Sequence, residues 1–201
     1  MVLTLIQCIP PKKPDSIRVV FDSSAKFHGY SLNDVMLKGP PLYNSLLGIL
    51  LRFRREAVAV TADVEQMFHN FLVTRKHRDY LRFLWHEDND ISKPLMDYHM
   101  NVHVFGNSPS PAVAAYQLRK AVENAEKDVQ DFIYKNFYVD DGLVSCRTSE
   151  EAVDLLNRTQ SVLYTNGKLR LHKFASNNRN VLDSLPQNDL AKDLCNIDSV
   201  Q

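Results

Sequence analysis

The stretch Tyr138–Asp141 reads Tyr-Val-Asp-Asp, and it decides how this chain is interpreted. It lies between two short apolar runs, Phe132–Val139 and Leu143–Cys146, and Gly142 follows the acids directly. Two apolar runs around a short turn predict a tight β-hairpin. A pair of adjacent aspartates alone is a weak indication of function, because many chains of this length contain one by chance. The complete four-residue stretch on a predicted hairpin is a much stronger one.

Asp140 and Asp141 are expected at the tip of this hairpin. Successive residues of a strand point to opposite faces, so a turn is where both carboxylates can approach one point. Unpaired carboxylates held close together repel each other and favour a bound cation. Oxygen ligands suit a hard divalent ion, usually Mg²⁺. The hairpin is therefore a predicted metal site.

A third acid lies upstream, within the segment Glu56–Phe71. Small and apolar residues alternate over Ala57–Ala62, which predicts a buried strand, and Asp63 closes it. Beside the hairpin this acid would complete a three-carboxylate cluster. Two metal ions about 3.5–4 Å apart would there activate an attacking hydroxyl and stabilise the leaving oxygen of a phosphoryl transfer. The alternative is that Asp63 only caps a helix after the strand.

The composition is that of a globular protein. The chain has 201 residues, 44% of them hydrophobic, with 24 basic and 24 acidic side chains. That is enough for one domain, or for one domain and a small appendage. The zero net charge does not indicate nucleic-acid binding, but clustered basic residues allow a local basic groove. The alternative is a solvated face, which is favoured for the second cluster. The clusters are Lys12, Lys13 and Arg18; Arg52, Arg54 and Arg55; and Arg75, Lys76, Arg78 and Arg82.

Three cysteines are too few and too scattered for a disulfide framework or a zinc ribbon, which favours a reducing compartment. They are Cys8, Cys146 and Cys195. Met1–Ile9 is apolar but lacks a basic start, so no secretion signal is predicted. Leu42–Leu51 is too short to span a bilayer and is predicted to form a buried helix face. We therefore expect a cytoplasmic protein without a membrane partner.

The rest of the chain predicts helices that alternate with antiparallel hairpins, which is an α+β fold. The predicted strands are Ile17–Phe21, Ala57–Ala62, Tyr80–His86, Tyr98–Phe105, the two arms around Tyr138–Asp141, and Leu169–Phe174. The predicted helices are Leu42–Arg55, Ala112–Asp128, one from a capping box at Thr148 to about Tyr164, and a short one near Asp189–Leu194. His99 and His103 share a face of one predicted strand. A metal role for them is open, but surface histidines are the favoured interpretation.

Six blocks of the sequence resemble, in order, the polymerase domain of reverse transcriptases from LTR retrotransposons. They read RVVFDSSAKFHGYSLND, ADVEQMFHNF, RDYLRFLW, HVFGNSPSPAVA, FYVDDGL and LRLHK. The resemblance covers roughly residues 12–176 and is greatest to the BEL/Pao group. It implies an RNA-directed DNA polymerase, a nucleotidyltransferase that acts on an RNA or DNA primer–template with dNTPs.

The family implies a right-hand polymerase fold, with fingers and an antiparallel palm sheet packed by helices. Residues 1–175 would be the reverse transcriptase domain, with fingers at about 1–34 and 71–106 and palm at about 35–70 and 107–175. Residues 176–201 would be a C-terminal extension with no assigned domain. The family's thumb, RNase H, protease and integrase regions have no counterpart here. The resemblance thus predicts a fragment of a Pol polyprotein.

The resemblance also implies a catalytic centre. Asp63 matches the first palm aspartate, and Asp140 and Asp141 match the acid pair of the palm hairpin. Together with the backbone carbonyl of Val64 they would bind two Mg²⁺ ions, for which Mn²⁺ is an alternative. Lys173 matches the lysine near the departing pyrophosphate, a candidate general acid. The alternative for Lys173 is an exposed strand lysine.

Several residues match the family's nucleotide contacts. Phe68 matches the aromatic that stacks under the incoming sugar and excludes a 2′-hydroxyl by a clash, and the alternative is a core aromatic. Arg18 matches the fingers arginine that contacts the triphosphate. Lys12 or Lys13 resembles the lysine on the γ-phosphate, and the choice between them stays open.

Phe105 and Gly106 match the turn that shapes the nucleotide pocket. Retroviral enzymes carry glutamine where this chain has Phe105, so a glutamine-type hydrogen bond to the sugar is not implied here. Ser110 and Pro111 match the start of the following helix. With Tyr138 they are the expected contacts with primer and template.

Two functions from different classes follow. The first is a reverse transcriptase that extends a primer 3′-hydroxyl, working in the cytoplasm or within virus-like particles of an integrating element. The second is a non-catalytic remnant of a retrotransposon Pol protein, either nucleic-acid-binding or inert. The intact acids, Arg18 and Phe68 favour the first. The missing thumb and the zero net charge favour the second.

Overall fold

The computed structural model describes the backbone of residues 4–8 and 18–191 and the side chains of residues 20–191. Backbone contacts divide the chain into two compact units. Unit 1 comprises Met1–Pro40 and Phe68–Ser110, and unit 2 comprises Pro41–Met67 and Pro111–Gln201. The fingers and palm boundaries expected from the resemblance stay a prediction.

Strands and helices alternate along the described residues. The strands are β1 (Thr4–Cys8), β2 (Arg18–Asp22), β3 (Val58–Val64), β4 (Arg82–His86), β5 (Leu95–His99), β6 (Phe137–Tyr138), β7 (Asp141–Cys146) and β8 (Leu171–Ser176). The α-helices are α1 (Leu32–Val35), α2 (Leu46–Phe53), α3 (Arg75–Arg78), α4 (Ser110–Ala121), α5 (Lys127–Asn136), α6 (Ser149–Gly167) and α7 (Arg179–Asp183). Short 3₁₀ turns lie at Met67–Asn70, Asp79–Leu81, Glu87–Asn89 and Gln187–Asp189.

Unit 1 consists of two antiparallel ribbons and a small apolar core. β1 pairs with β2, and β4 pairs with β5. A capping box fixes the start of α1, because the Ser31 hydroxyl accepts from the Asp34 amide and the Asp34 carboxylate accepts from the Ser31 amide. The core side chains are Leu32, Val73, Leu81 and Val104, with Phe21, Met36 and Met100 packed against them. This small core holds together segments far apart in sequence.

Unit 2 is built on a four-stranded antiparallel sheet in the order β6-β7-β3-β8. The central strand β3 alternates between buried and half-buried residues. This is the pattern of a strand with one covered face. Val60 and Val64 are each 1% exposed, whereas Asp63 lies on the more open face. The predicted strand before Asp63 is confirmed and extends through it.

Helices α5 and α6 pack against this sheet. Both contact β7, and α6 also contacts β3. α6 begins at Ser149, directly after the predicted cap Thr148, whose hydroxyl accepts a hydrogen bond from the Glu151 amide at 3.2 Å. It buries Leu156 and Leu163 against the unit core. The sheet therefore has one face that is covered by helices.

The prediction of one helix over Ala112–Asp128 followed by a strand from Phe132 is wrong. The structure has two helices, α4 and α5, and β6 covers only two residues. Val129, Phe132 and Ile133 are all buried on α5. Their spacing of three and four residues is helical, so this apolar run belongs to a helix face rather than to a strand.

The second arm of the predicted Tyr80–His86 hairpin is also displaced. β4 and β5 pair as an antiparallel hairpin, but β5 precedes most of the predicted run Tyr98–Phe105. β5 includes the charged Asp97, which pairs across the ribbon with Arg82. Because β5 is exposed along its whole length, cross-strand polar pairs replace the apolar alternation used for the prediction.

His99 and His103 do not share a strand. His99 is the last residue of β5, with its Nδ1 3.9 Å from Asp79 Oδ1. His103 lies beyond the strand and is half-buried, and its Nδ1 has no hydrogen-bond partner among the described residues. Burial lowers the pKa of His103. The prediction of two surface strand histidines is therefore wrong for His103.

The helix predicted over Leu42–Arg55 is confirmed but shorter, since α2 begins after its N-cap Ser45. The predicted buried leucine face is wrong. Ile49 is the fully buried residue of α2, which packs on α5, β6 and β7. The exposed residues are Leu46 at 45%, Leu47 at 67%, Leu50 at 41% and Leu51 at 65%. Helical spacing identified the apolar arc correctly, but in unit 2 that arc faces outward.

The α+β class with an antiparallel sheet packed by helices is confirmed. Among the described residues, no helix combines the length and apolarity needed to cross a lipid bilayer. Cys146 is buried and free. Cys195 and the side chains before residue 20, that of Cys8 included, lie outside the described residues. The predicted helix near Asp189–Leu194 does not begin as expected, because Asp189 ends a 3₁₀ turn and Leu190 is extended; its part beyond residue 191 also lies outside the described residues.

Candidate active site

The predicted acid hairpin is present at one end of the unit 2 sheet. Tyr138 on β6 lies opposite Asp141 on β7, so Val139 and Asp140 form a two-residue turn. Val139 has a φ of 56°, a strained backbone conformation for a β-branched residue. Such strain is typical of functional turns and is held here by the flanking ladder.

Gly142 allows this hairpin to close. A Cβ at this position would lie 2.6 Å from the ring of Phe137, which is directly opposite on β6. Phe137 is buried, so its ring has little room to move away. Glycine is therefore required by close packing beneath the two acids.

The backbone ladder brings the three predicted acids together. Asp63 on β3 lies directly opposite Asp141 on β7, and the Val64 amide donates to the Asp140 carbonyl at 3.0 Å. Directly opposed residues project to the same face of a sheet. Asp63 and Asp141 thus share the open face of the sheet, and Asp140 adjoins them at the turn.

β8, which pairs with the edge of β3 opposite to β7, supplies two side-chain partners to Asp63. His172 Nε2 lies 2.8 Å from Asp63 Oδ1, and Lys173 Nζ lies 3.0 Å from Asp63 Oδ2. The ladder between β3 and β8 shifts register between Thr61 and Asp63, and Lys173 has a φ of 50°. This irregularity lets two consecutive residues of β8 reach one carboxylate.

The electrostatics of the hairpin oppose full ionisation. Burial raises the pKa of Asp140, and the Asp63 carboxylate adds to this effect. Burial also raises the pKa of Asp141, followed by repulsion from Asp140 and Asp63. Lys173 acts against both shifts. A cluster of carboxylates that raise each other's pKa is a site where a cation binds favourably.

The donor chemistry of this cluster fits a hard divalent cation, since it consists of carboxylate oxygens. The side chains do not converge on one point, however. No group of three or more His, Cys, Asp or Glu side chains in the described residues is arranged to hold a metal ion. Both oxygens of Asp63 instead face His172 and Lys173.

A polar network supports β8 next to these residues. Arg170 pairs with Glu65 at 2.9 Å and also with Asp189. Asp189 is buried and accepts from Gln160 Nε2 at 3.1 Å. The network links β3, β8 and the turn at Gln187–Asp189, and it stabilises the strand that carries His172.

Unit 1 brings together two of the predicted nucleotide residues. The rings of Phe68 and Phe105 lie edge to face, with centroids 5.8 Å apart at 66°. Phe105 is 68% exposed, whereas Phe68 is half-buried. Gly106 follows with a φ of 93°, which glycine adopts without strain. Both rings are thus accessible on the surface of unit 1.

Comparison with known proteins finds similar folds among solved structures. No family model and no curated protein matches the chain. The native prototype foamy virus protease-reverse transcriptase superposes with a TM-score of 0.62 at 18% identity, covering 85% of this chain and 20% of that one. A foamy viral protease-reverse transcriptase in complex with an RNA/DNA hybrid gives a TM-score of 0.61 at 20% identity, covering 85% and 20%. A complex with dsDNA gives 0.61 at 21% identity, covering 85% and 31%.

This chain has a reverse transcriptase-like fold. It spans between 20% and 31% of the length of those solved chains. At identities of 18–21% the likeness concerns the fold, so the roles of individual residues are argued from the geometry above.

Other predicted residues of this reverse transcriptase-like fold are placed less directly. Tyr138 is 40% exposed, and Pro111 is half-buried at the start of α4. Ser110 is buried, and its hydroxyl donates to the Val104 carbonyl at 2.9 Å. Lys12, Lys13 and the side chain of Arg18 lie outside the described residues. The expected contacts of all six with primer, template or nucleotide stay predictions.

Two residues that the sequence interpretation missed stand out. His172 was part of a recognised block but was given no role, and its place opposite Asp63 depends on strand pairing. Asn33 lies in the first recognised block and was also given no role, yet its side chain bonds to the Gly106 carbonyl and the Ser108 amide. The sequence signal for both is a polar residue inside a recognised block.

Proposed function

We propose that this chain is the fingers and palm portion of an RNA-directed DNA polymerase from an LTR retrotransposon Pol polyprotein of the BEL/Pao group. The observation that carries the proposal is the direct opposition of Asp63 and Asp141, with Asp140 beside them, on the sheet of a reverse transcriptase-like fold. The solved neighbours include complexes with an RNA/DNA hybrid and with dsDNA. A primer–template is the corresponding proposed partner here.

In the proposed reaction the primer 3′-oxygen attacks the α-phosphorus of a dNTP. The new P–O bond forms as the 3′-hydroxyl loses its proton to water and the bond between the α-phosphorus and the β-phosphate oxygen breaks, and pyrophosphate leaves. Asp63, Asp140 and Asp141, with the Val64 carbonyl, would hold Mg²⁺ or Mn²⁺. When bound, such ions supply charge neutralisation and lower the pKa of the attacking hydroxyl. The carboxylates would fix the position of that positive charge relative to the reacting groups.

Lys173 is the proposed proton donor to the leaving pyrophosphate. Its side chain is 58% exposed and contacts Asp63 through the ammonium group, so this flexible side chain can turn toward a bound polyphosphate. A proton given to the leaving oxygen compensates the negative charge that develops there. Removing the ammonium group should therefore slow the chemical step more than nucleotide binding.

In this proposal the sugar of the nucleotide contacts Phe68 and Phe105. Its phosphates contact Arg18 and either Lys12 or Lys13. The edge-to-face ring contact supports the sugar half of this assignment. A ring placed against C2′ admits hydrogen and clashes with a hydroxyl. Other Pol regions, such as a thumb and RNase H, are the proposed partners in the complete polyprotein.

One observation favours a second function, a non-catalytic nucleic-acid-binding module. Both Asp63 oxygens are engaged by His172 and Lys173, and no described group of acids is arranged around a metal position. In such a module the Lys173 ion pair would be a permanent structural contact. Primer–template binding would then be independent of divalent ions.

Metal-dependent thermal unfolding and primer extension separate the two functions. We expect Mn²⁺ to raise the Tm of the chain, because a ligand that binds only the folded state stabilises it. The double variant Asp140→Asn with Asp141→Asn should lose both this response and any extension of an RNA–DNA primer–template. Asp183→Asn, which removes an acid of α7 that pairs with Arg179, should behave like the parent.

A double variant that responds to Mn²⁺ as the parent does would contradict the three-acid site. A parent without metal response that still binds primer–template in EDTA would support the non-catalytic module instead.

A further inference from the structure

The turn at residues 105–108 is held by side chains rather than by a strand ladder. Asn33 Nδ2 donates to the Gly106 carbonyl at 3.0 Å, and the Ser108 amide donates to Asn33 Oδ1 at 2.8 Å. One carboxamide thus uses its donor and its acceptor on the two sides of Asn107. Because the two bonds need opposite ends of the group, they fix the orientation of the Asn33 amide.

Asn33 is itself anchored to the segment that follows β2. Its backbone amide donates to the Ser23 carbonyl at 3.0 Å. Ser23 in turn donates from its hydroxyl to Asn107 Oδ1 at 2.5 Å, and both of these side chains are buried. Buried polar groups are nearly always hydrogen-bonded, and removing one partner leaves the other unsatisfied. The turn and the end of β2 are therefore joined by a closed set of polar contacts.

The turn held by these contacts packs closely against β2. A Cβ at Gly106 would lie 3.3 Å from the Phe21 carbonyl oxygen, and the φ of 93° also requires glycine. Phe105 is attached directly to this turn and projects its exposed ring against Phe68. Because Phe105 belongs to the turn, a shift of the turn moves its ring relative to Phe68.

We propose that Asn33 is a positioning residue that holds the Phe105–Gly106 turn against β2 and so sets the discrimination between deoxyribo- and ribonucleotides. This rests on the proposed function, in which Phe105 and Phe68 face the sugar. Asn33 itself touches no reacting group. It acts through the turn, and its loss lets Phe105 withdraw from Phe68 and widens the space beside C2′.

Hydrogen exchange of the ¹⁵N-labelled chain tests the positioning role without any nucleotide. In Asn33→Ala the Ser108 amide loses its acceptor, and its exchange should accelerate by about fivefold or more, as expected for one net hydrogen bond. Asn33→Asp keeps an acceptor for Ser108 but has no donor for Gly106, so Ser108 should stay protected. Asn101→Ala, at an exposed asparagine of unit 1 whose side chain has no described partner, is the matched control.

The affinities of the same variants for dATP and ATP, measured by calorimetry, test the consequence. The parent should prefer dATP, and Asn33→Ala should narrow that preference by about threefold or more, mainly by tightening ATP. Asn33→Asp should narrow it less, since one of the two bonds remains. Asn101→Ala should leave the preference unchanged.

Unchanged Ser108 exchange in Asn33→Ala would overturn the positioning role, whatever the nucleotides do. Faster exchange with an unchanged preference would overturn the role in discrimination. A parent that binds neither nucleotide would overturn the proposed function and the discrimination with it, while the exchange rates would still decide whether Asn33 holds the turn.

Discussion

The two units hold their candidate functional residues by different means. In unit 2, Asp63 and Asp141 lie on adjacent strands, and a regular backbone ladder fixes their register. In unit 1, Phe105 lies in a turn outside every described strand, and the side chain of Asn33 secures it. Many backbone hydrogen bonds hold the ladder, whereas a few side-chain hydrogen bonds hold the turn. We therefore expect single side-chain substitutions to displace the Phe105 turn more easily than the acids of unit 2.

The relative positions of Asp63 and Asp141 in unit 2 should be lost only when the core beneath the sheet is destabilised. Leu171 is fully buried on β8, next to His172. Leu171→Ala should lower the free energy of unfolding by about 2–5 kcal/mol, because it leaves a cavity beneath the sheet. Leu47→Ala, at a leucine that is 67% exposed on α2, should change it by less than about 0.5 kcal/mol. Urea unfolding of both variants measures the contrast, and equal losses would break it.

Substituting an aromatic ring of unit 1 should change nucleotide selection, with a smaller loss of stability than substituting Leu171. Phe68→Ala should weaken the preference for deoxyribonucleotides by roughly tenfold, because it relieves a clash rather than adding a contact. Tyr98→Ala, which removes another unit 1 aromatic stacked on Phe83, is the control. The measurement is incorporation of dNTPs against rNTPs. A preference that Phe68→Ala leaves intact would return Phe68 to the role of a core aromatic.

The acid hairpin should also reveal itself in the pH dependence of stability. A carboxyl whose pKa is raised by folding destabilises the folded state once ionised, so unfolding free energy falls as pH rises above the ordinary value of 3.8. Without divalent ions, replacing Asp140 and Asp141 by Asn should therefore raise the Tm by a few degrees at pH 7. The gain should vanish on acidification below 3.8. Thermal unfolding across pH in EDTA is the test, and a lower Tm of the variant at pH 7 would contradict the repulsion.

The smallest expected effect concerns nucleic-acid binding by unit 1. Arg75 and Lys76 on α3 are exposed and have no described partner, whereas Arg82 is paired with Asp97. Duplex binding by this neutral chain should be weak, with a Kd of roughly 10⁻⁴–10⁻⁶ M, and strongly salt-dependent.

Substituting Arg75 and Lys76 by Ala should lower the salt slope of that binding by about 2, and Arg82→Ala by less. Titration of a labelled RNA–DNA primer–template at several salt concentrations measures both. Nanomolar binding with a shallow slope would instead indicate a more complete binding surface than these basic residues provide.

The sequence predicted features that depend on neighbouring residues, and it missed contacts between residues far apart in the chain. The strand that carries Asp63 and the hairpin that carries Asp140 and Asp141 were predicted, because period-two alternation and a tight turn are local signals. The pairing of Asp63 with His172 was not, since it depends on a register shift between β3 and β8. Likewise, the bonds from Asn33 to Gly106 and Ser108 join residues more than 70 positions apart.

The helix errors have a related cause. Composition alone extended the helix after Pro111 through Asp128, whereas burial of Val129, Phe132 and Ile133 makes a second helix. Outward-facing leucines on α2 show the converse, since apolar spacing identifies an arc but not what covers it. Local pattern therefore predicted element types better than it predicted the neighbours of each element.

The central position of β3 has a consequence for synthesis on the ribosome. β3 ends at Val64, but its two neighbours in the sheet, β7 and β8, begin at Asp141 and Leu171. At about 5–20 residues per second, the last partner emerges roughly 5–20 s after β3. Both edges of this apolar strand stay open until β7 emerges, and one edge stays open until β8 follows. An open strand edge is prone to aggregation. Slow translation between the two segments should thus lower the soluble yield, unless a chaperone covers β3 while it waits.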